Sequence, residues 1–194
     1  MTRSTDNELR PDWRRFLASG TPQEVLVRLV DGDPLGVRAR AVARLREARL
    51  VLDGERVALR CLARVARAAQ FYRGRPSFET WLDERCDEAL RDLVEEERLA
   101  VSRGEPVASE PNVVLRLFAE PLGLEPAAAR RACVTLNERP FEERDAFFAL
   151  VLEARPLDEV ARERDLDPTL VARRARRVLL ALLRSDEREQ EMLP

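Results

Sequence analysis

The segment LDEVARERDLDPTLVARRARRVLLALLR, residues 157–184, contains the pattern that decides the fold. Its first part places two apolar residues, Val160 and Ala161, on one side of a short helix. The next residues, Arg164–Leu166, predict a turn, because Asp tolerates the left-handed backbone that such turns often need. Asp167-Pro168 then predicts the start of a second helix, since Asp caps a helix and Pro fits its first turn. The segment therefore predicts two helices joined by a tight turn.

The second of these helices is amphipathic. Its apolar residues recur at helical spacing and form one predicted buried stripe, made of Val171, Ala175, Val178, Leu179 and Leu182. The opposite stripe contains Arg173, Arg176, Arg177 and Arg184, with Arg174 at its flank. A recognition helix in a helix-turn-helix domain has this layout, because its apolar side fixes it to the domain and its cationic side meets the DNA. We therefore predict DNA contacts by Thr169, Ala172, Arg173, Arg174, Arg176 and Arg177.

An ordinary amphipathic helix with a solvated arginine face is the alternative interpretation. All 34 basic residues of the 194-residue chain are arginine, so an arginine face is less specific here than in a chain of average composition. Four phosphate contacts would give DNA binding a salt slope of roughly −3 to −4, which is modest. Leu180 and Leu183 leave the last turns of the helix apolar nearly all round, which indicates that another surface packs there.

The composition favours an all-α fold. Apolar residues make up 45% of the chain and aromatic residues only 5%, so the predicted core is mostly Leu, Val and Ala. The absence of histidine removes the commonest general base and metal ligand, and we predict no enzymatic activity, no metal and no cofactor. The three cysteines, Cys61, Cys86 and Cys133, are far apart in sequence and are predicted to be small core residues in a reducing compartment.

Further helix starts are visible along the chain. Thr21–Glu24 is a capping box with Pro at the first helical position, and Asp33-Pro34 predicts another start by the same logic. Ser77 is predicted to cap a long helix that ends at about Arg103. Pro140 is predicted to open a helix whose core is formed by Phe147, Phe148, Leu150, Val151 and Leu152. Another helix is predicted before Ser77, and its apolar residues are Val57, Leu59, Leu62, Val65, Ala66 and Ala69.

Two helical modules are predicted, separated by a linker. Residues 104–111, GEPVASEP, combine Gly, two Pro, Ser and Glu and are typical of a linker. The predicted domains are therefore 1–103 and 112–194, the second containing the helix-turn-helix. No apolar run approaches the roughly 20 residues needed to span a membrane, and no signal peptide is recognised, so we expect a cytoplasmic protein without membrane contact.

The first module resembles a known family. DGERV at 53–57 and RGRPSFETWL at 73–82 are similar, in residues and in spacing, to the second conserved region of extracytoplasmic-function sigma factors. These factors direct bacterial RNA polymerase to promoters. The resemblance covers about residues 30–100.

The second module resembles the fourth region of the same family. The similarity begins at Pro140, with Arg144 and Phe147 at the expected spacing. It continues through LDEVA at 157–161 and DPTLV at 167–171. Each motif alone is weak, but the two regions occur in the family's order with a linker between them.

The resemblance implies a two-domain transcription factor. The first domain would dock on core RNA polymerase and recognise and melt the minus-ten promoter element. The second would read the minus-thirty-five element. Docking would involve the positions that match the family's polymerase-binding helix, namely Arg56, Val57, Leu59 and Arg60. Promoter DNA and polymerase core are thus the expected partners, and the resemblance leaves open whether an anti-sigma-like regulator also binds.

Two surfaces depart from the family pattern. The family's polymerase-binding helix is usually acidic or amide-bearing, whereas residues 56–62, RVALRCL, are basic and apolar. The helix after Trp81 is usually basic, but residues 76–100 contain nine acidic residues and three arginines. A helix of that charge would repel DNA phosphates. An alternative function is therefore a sigma-like fold repurposed as a protein–protein interaction module without promoter melting.

Overall fold

The fold rests on helix-forming segments separated by short turns. The computed structural model describes residues 20–105, 118 and 123–190, with side chains described as far as Arg184. Within these residues it contains no strand, and it contains eight α-helices: α1 (Pro22–Val30), α2 (Val37–Glu47), α3 (Gly54–Ala69), α4 (Phe78–Ser102), α5 (Pro126–Asn137), α6 (Phe141–Phe147), α7 (Leu157–Glu163) and α8 (Pro168–Gln190). The predicted all-α fold class is confirmed.

The start of α1 follows its sequence signal. The Glu24 amide donates a hydrogen bond to the Thr21 hydroxyl at 3.3 Å, and the Thr21 amide donates to the Glu24 carboxylate at 2.8 Å. The predicted capping box is thereby confirmed. It satisfies two of the amide groups that the first turn of a helix leaves without an intrahelical partner.

The start of α2 differs from the prediction. Pro34 lies in a turn, and the helix begins at Val37. Asp33 still acts as the capping residue, because its two carboxylate oxygens accept hydrogen bonds from the amides of Val37 and Arg38 at 2.7 and 2.8 Å. The Asp33-Pro34 signal therefore identified the capping side chain but placed the first turn too early.

Two compact units make up the chain, one formed by residues 1–44 and 54–90 and the other by 45–53 and 91–194. The division falls within α2 and within α4. The predicted linker at 104–111 lies outside the described residues from position 106 onward. The predicted module boundaries therefore stay a prediction.

The first unit packs α1 against α3 and uses an aromatic cluster near the start of α4. Ser77 caps α4 as predicted, because its hydroxyl accepts a hydrogen bond from the Thr80 amide at 3.2 Å. Tyr72 and Trp81 have ring centroids 4.8 Å apart, and Phe78 lies 6.0 Å from Trp81. Leu59, predicted as a core residue of α3, is instead 46% exposed, and the buried positions beside it are Ala58, Cys61 and Leu62.

The second unit has two adjoining apolar clusters that share α8. One contains Phe118, residues of α5, Phe147, Val178 and Leu182. The other contains Ala146, Ala149, Val160, Ala161, Val171 and Ala175. Helix α8 thus packs on α6 in both clusters, and in addition on α7 with its first half and on α5 with its second half.

A π-helical segment, Phe148–Leu152, follows α6 directly. A π-turn holds one more residue than an α-turn and rotates the side chains that follow. Val151 and Leu152, predicted as core residues, are for this reason exposed, and Ala149 takes the buried position.

Candidate nucleic-acid interface

The turn between α7 and α8 has a defined hydrogen-bonded geometry. Asp165 adopts the left-handed conformation, with φ at +51°. Its amide donates a hydrogen bond to the Arg162 carbonyl at 3.3 Å, and the Leu166 amide donates to the Ala161 carbonyl at 3.0 Å. This is the Schellman arrangement that ends many helices, in which Gly usually occupies the left-handed position. The sequence prediction of a left-handed Asp turn is confirmed.

Asp167 begins α8 by capping it. One carboxylate oxygen accepts hydrogen bonds from the amides of Thr169 and Leu170, at 2.7 and 3.4 Å. Hydrogen bonds from the hydroxyl and the amide of Thr169 lower the pKa of Asp167 below its usual value. Thr169 is exposed, as a DNA-contacting residue must be, and its amide is engaged by the cap.

An ion-pair cluster fixes the turn to the rest of the unit. The Arg164 guanidinium donates from Nε and Nη2 to the two carboxylate oxygens of Asp145, at 2.5 and 2.9 Å. Arg49 donates from Nε to the same carboxylate at 2.9 Å and from Nη1 to Glu153 at 2.5 Å. Burial alone would raise the pKa of Asp145, but the hydrogen bonds and charges of the two arginines hold it below its usual value.

The sequence analysis missed this cluster. Asp145 and Arg164 are separated by 19 residues, and Arg49 and Asp145 by 96. No local pattern marks such a pairing, because every helix of this arginine-rich chain carries charged residues. A useful signal would have been Asp145 itself, because it is an acidic residue in the middle of α6 and close to the predicted core stripe.

The buried side of α8 agrees with the prediction at four positions out of five. Val171, Ala175, Val178 and Leu182 are buried. Leu179 is 37% exposed, because it lies beside the stripe formed by Val178 and Leu182 and no helix among the described residues covers it. Leu180 and Leu183 are also exposed. Among the described residues, the second half of α8 therefore has an exposed apolar surface.

The opposite face of α8 carries the predicted DNA-contacting residues. Arg173, Arg176 and Arg177 are exposed, whereas Ala172 and Arg174 are half-buried. Between Pro168 and Arg184 the helix has five arginines and no acidic residue. The structure thus brings the predicted residues together along one helix, on the side away from the two apolar clusters.

Two acidic side chains lie close to this face: Asp167, whose pKa the charge of Arg173 helps to lower, and Glu143. Glu143 of α6 is only 7% exposed and accepts hydrogen bonds from Arg139 at 2.9 and 2.7 Å. Arg177 reaches the same carboxylate at 3.5 Å, with 60% of its own side chain exposed. Arg177 is therefore partly neutralised within the protein, whereas Arg173 and Arg176 extend from positions without such an ion pair among the described residues.

Known proteins give no guide to this interface. The chain matches no protein-family model, no curated protein and no solved structure. In the part of the chain that the structure describes, no three acidic or cysteine side chains are arranged to hold a metal ion. Among the same residues, no helix combines the length and apolar character needed to cross a membrane.

The residues predicted to bind polymerase lie in the first two turns of α3. Arg56 and Leu59 are exposed, and Arg60 is half-buried. Val57 is completely buried, so its side chain belongs to the core of the first unit and offers no surface. The exposed part of this predicted surface is therefore limited to Arg56, Leu59 and the outer part of Arg60.

The acidic helix α4 and the basic helix α2 pair with each other within the first unit. Arg40 and Asp83 form an ion pair at 2.8 Å, and Arg44 and Asp87 form one at 2.7 Å. Each pair joins an arginine of α2, which contains four arginines and one acidic residue, to an aspartate of α4. The opposite charges of the two helices thus produce internal ion pairs, and the acidic residues of α4 are not all directed at solvent.

Proposed function

We propose that the chain is a divergent sigma-factor-like transcription regulator that binds promoter DNA through the α7–α8 pair, together with RNA polymerase core. The single observation that carries this proposal is the outer face of α8. It presents Arg173, Arg176 and Arg177 at exposed positions of the stretch Pro168–Arg184, which contains no acidic residue, although Arg177 also pairs with Glu143 of α6. Its inner face is fixed by two apolar clusters. The sequence resemblance to extracytoplasmic-function sigma factors supports the same function.

Electrostatics favour duplex DNA as the ligand of this face. Arginine donates in a planar fork that matches phosphate oxygens and the acceptor edge of guanine. A helix anchored along one side can enter a major groove with the other. The left-handed turn at Asp165 and the Asp145–Arg164 ion pair support this mode, because the turn joins α7 directly to α8 and the ion pair fixes the end of α7 to α6.

Binding to polymerase core is the second part of the proposal. Leu59 is an exposed apolar residue flanked on α3 by Arg56 and Arg60. Such a combination is suited to a protein contact, in which an apolar anchor is surrounded by charged residues. It differs from the acidic surface usual in the resembling family, so the partner surface on the polymerase would have to be acidic and apolar.

A protein–protein interaction module is the alternative function. The exposed leucines of α8, Leu179, Leu180 and Leu183, favour it, because they continue the helix beyond the arginines as an apolar surface. The ion pairs of Asp83 and Asp87 with arginines of α2 neutralise only part of the acidic charge of α4, so DNA contact by α4 is still unfavourable. The helix gains no cationic surface from these contacts.

The proposal is tested by DNA binding of charge variants. We expect the purified protein to bind labelled duplex DNA at low salt and the double variant Arg173→Gln plus Arg176→Gln to bind about tenfold or more weakly. The salt slope of the variant should be smaller by about 2, because each lost phosphate contact releases about one counterion less. Fluorescence anisotropy over a series of salt concentrations measures both quantities.

The matched control is the double variant Arg98→Gln plus Arg103→Gln. It removes the same charge from exposed residues, Arg98 in the last turns of α4 and Arg103 directly after the helix. We expect its DNA affinity to stay within about twofold of the unaltered protein. Equal weakening by both double variants would mean that net charge alone drives binding, and no binding by the unaltered protein would reject the DNA proposal.

Polymerase binding is tested by co-purification with bacterial core RNA polymerase. Leu59→Asp should abolish retention, and Val27→Asp, a change at an exposed valine of α1, should leave it intact. Val57 is unsuitable for this test, because an aspartate at a fully buried position would unfold the unit. Retention of DNA binding without polymerase binding would leave a stand-alone DNA-binding protein, and loss of both would favour the protein–protein module.

A further inference from the structure

The second half of α8 carries three leucines that no helix among the described residues covers. Leu179 is 37% exposed, Leu180 40% and Leu183 54%. The other side of the same turns is fixed, because Val178 and Leu182 are buried in the apolar cluster formed with α5 and α6. The leucines therefore form an exposed apolar surface on an anchored helix. Such a surface favours contact with another protein surface, since it removes apolar area from water.

The exposed residues of this surface follow a heptad spacing. Steps of four and three residues alternate along one side of the helix, through positions 172, 176, 179, 183, 186 and 190. Leu179 and Leu183 lie in the middle of this row, with Arg176 before them and Asp186 after them. The helix continues to Gln190, so one unbroken helix contains the whole row. This is the spacing by which one helix packs lengthwise on another.

Charge is unevenly distributed along the same helix. Residues 168–184 contain five arginines and no acidic residue, whereas residues 185–190, SDEREQ, contain three acidic residues and one arginine. A second α8 that runs in the opposite direction would therefore place its acidic end beside the arginines of the first. A parallel copy would place arginines beside arginines, which is unfavourable. The helix is thus complementary in charge to an antiparallel copy of itself.

We propose that α8 is a self-association surface, on which a second copy of this chain packs with its own α8 antiparallel. The twofold axis passes beside Ala181. Leu179 of one copy then faces Leu183 of the other, because each lies two residues from the axis. Arg176 faces Asp186 in the same way, because each lies five residues from it. Every contact occurs twice, as in any interface between two copies related by a twofold axis.

The small size of the surface determines the strength of the association. Interfaces that bury less than about 1,200 Å² are typical of weak and transient complexes, and three leucines on each copy make a surface of this kind. We therefore expect a monomer–dimer equilibrium that favours the dimer only at high protein concentration. Arg176 belongs both to this surface and to the face proposed to bind DNA, so the two binding events would compete. Self-association itself requires no DNA and is measured without it.

The first test is sedimentation equilibrium of the full chain at micromolar to millimolar concentrations. We expect the average mass to rise from that of one chain toward that of two. The double variant Leu179→Gln plus Leu183→Gln should stay monomeric, and circular dichroism should show its helices intact, because both positions are exposed. The matched control is Val27→Gln plus Val30→Gln. It changes two exposed valines of α1 and should associate as the unaltered chain does.

The second test exchanges charges across the proposed axis. Arg176→Glu places like charges opposite each other in a dimer, and so does Asp186→Arg, so each variant alone should associate about tenfold or more weakly. An equal mixture of the two variants has opposite charges at both contacts. We expect the mixture to associate within about threefold of the unaltered chain, because the complementarity is restored in the mixed dimer.

Four results would overturn the proposal. They are a chain that stays monomeric at millimolar concentration, unchanged association of the leucine variant, a mixture of charge variants that does not associate, and association that increases with salt. The last result excludes the antiparallel arrangement, because salt weakens the attraction of opposite charges and relieves the repulsion of like charges. We expect added salt to weaken the association of the unaltered chain.

Discussion

Asp145 is the residue that joins two arginines from distant parts of the second unit. Its carboxylate serves Arg164 at the end of α7 and Arg49 after the end of α2, and all three side chains are largely buried. A carboxylate bound by two guanidinium groups makes hydrogen bonds about twice as strong as neutral ones. Removal of its charge would leave two partly buried cations without their counterion, which costs more than the bonds themselves.

Asp145→Asn is predicted to lower the free energy of unfolding by about 2 kcal/mol at neutral pH. Urea denaturation followed by circular dichroism measures the change. Asp158→Asn, at an exposed position in the first turn of α7, is the control and should cost less than about 0.5 kcal/mol. Similar losses in both variants would show that the ion pair contributes no specific stability.

The same pair predicts a pH dependence. The folded-state pKa of Asp145 lies below the unfolded value of about 3.9, so its contribution is fully present above that value. The contribution is lost as the pH falls through the lowered folded-state pKa. The difference in unfolding free energy between the unaltered protein and Asp145→Asn should be constant from about pH 7 to 5 and should shrink below about pH 4. A difference that persists to pH 2 would contradict this assignment.

The turn between α7 and α8 contains a residue whose backbone conformation is constrained. Asp165 occupies a left-handed position at which Gly would have no steric cost. Asp165→Gly is predicted to be neutral or stabilising by up to about 0.5 kcal/mol, and Asp165→Val to be destabilising by about 1–2 kcal/mol. Thermal unfolding of the two variants checks the opposite signs. Equal destabilisation by both would mean that the Asp165 side chain, rather than its backbone, matters.

Elements with strong local signals could be predicted from the sequence. The capping box at Thr21 and the cap at Asp167 depend on residues within three positions of each other, so their pattern is complete in the sequence. The exposure of Leu152 could not be predicted, because periodicity assumes a regular α-helix and a π-turn changes the period. The predicted burial of Leu59 was wrong for a related reason. A side chain at the edge of an apolar stripe is buried only if a neighbouring helix contacts it.

At the scale of the whole molecule, residues 45–53 are part of the second unit and complete its polar contacts. The Asn137 amide exchanges two hydrogen bonds with the backbone of Val51, at 2.8 and 2.9 Å. The Arg144 guanidinium donates to the carbonyls of Ala48 and Arg49 and also to those of Asn137 and Arg139. Burial lowers the pKa of Arg144, but the carbonyls satisfy its donors. Cleavage of the chain between the two predicted modules would separate Asn137 and Arg144 from the backbone groups of residues 48–51 that bind them.

A fragment of residues 112–194 is therefore predicted to be markedly less stable than the same residues in the full chain. It would retain Asn137 and Arg144 but lose the backbone groups that bind them, which leaves buried polar groups unsatisfied. Hydrogen exchange of α5 and α6 in the fragment and in the full chain measures the loss. Equal protection in both would show that residues 45–53 contribute nothing to the unit.

Contacts between residues that are far apart in the sequence could not be predicted from it. The arginines of this chain are too numerous for any one of them to be singled out, and Arg49, Arg144 and Arg164 gain their roles only from the packing of helices. The candidate interface could be located because its residues share one helix. The ion pairs that position that helix could not be located from the sequence, because their partners are brought together only by the tertiary fold.

The π-helical segment after α6 has a consequence for insertions and deletions. A π-turn is equivalent to an α-helix that has accepted one additional residue. Removal of a residue within a helix ordinarily shifts the register of everything that follows. Here the segment ends at Leu152, directly before a loop, so a shorter chain could regain regular helical hydrogen bonds and leave α7 undisturbed. Length variation among natural relatives of this chain is therefore expected at positions 148–152, in a helix rather than in a loop.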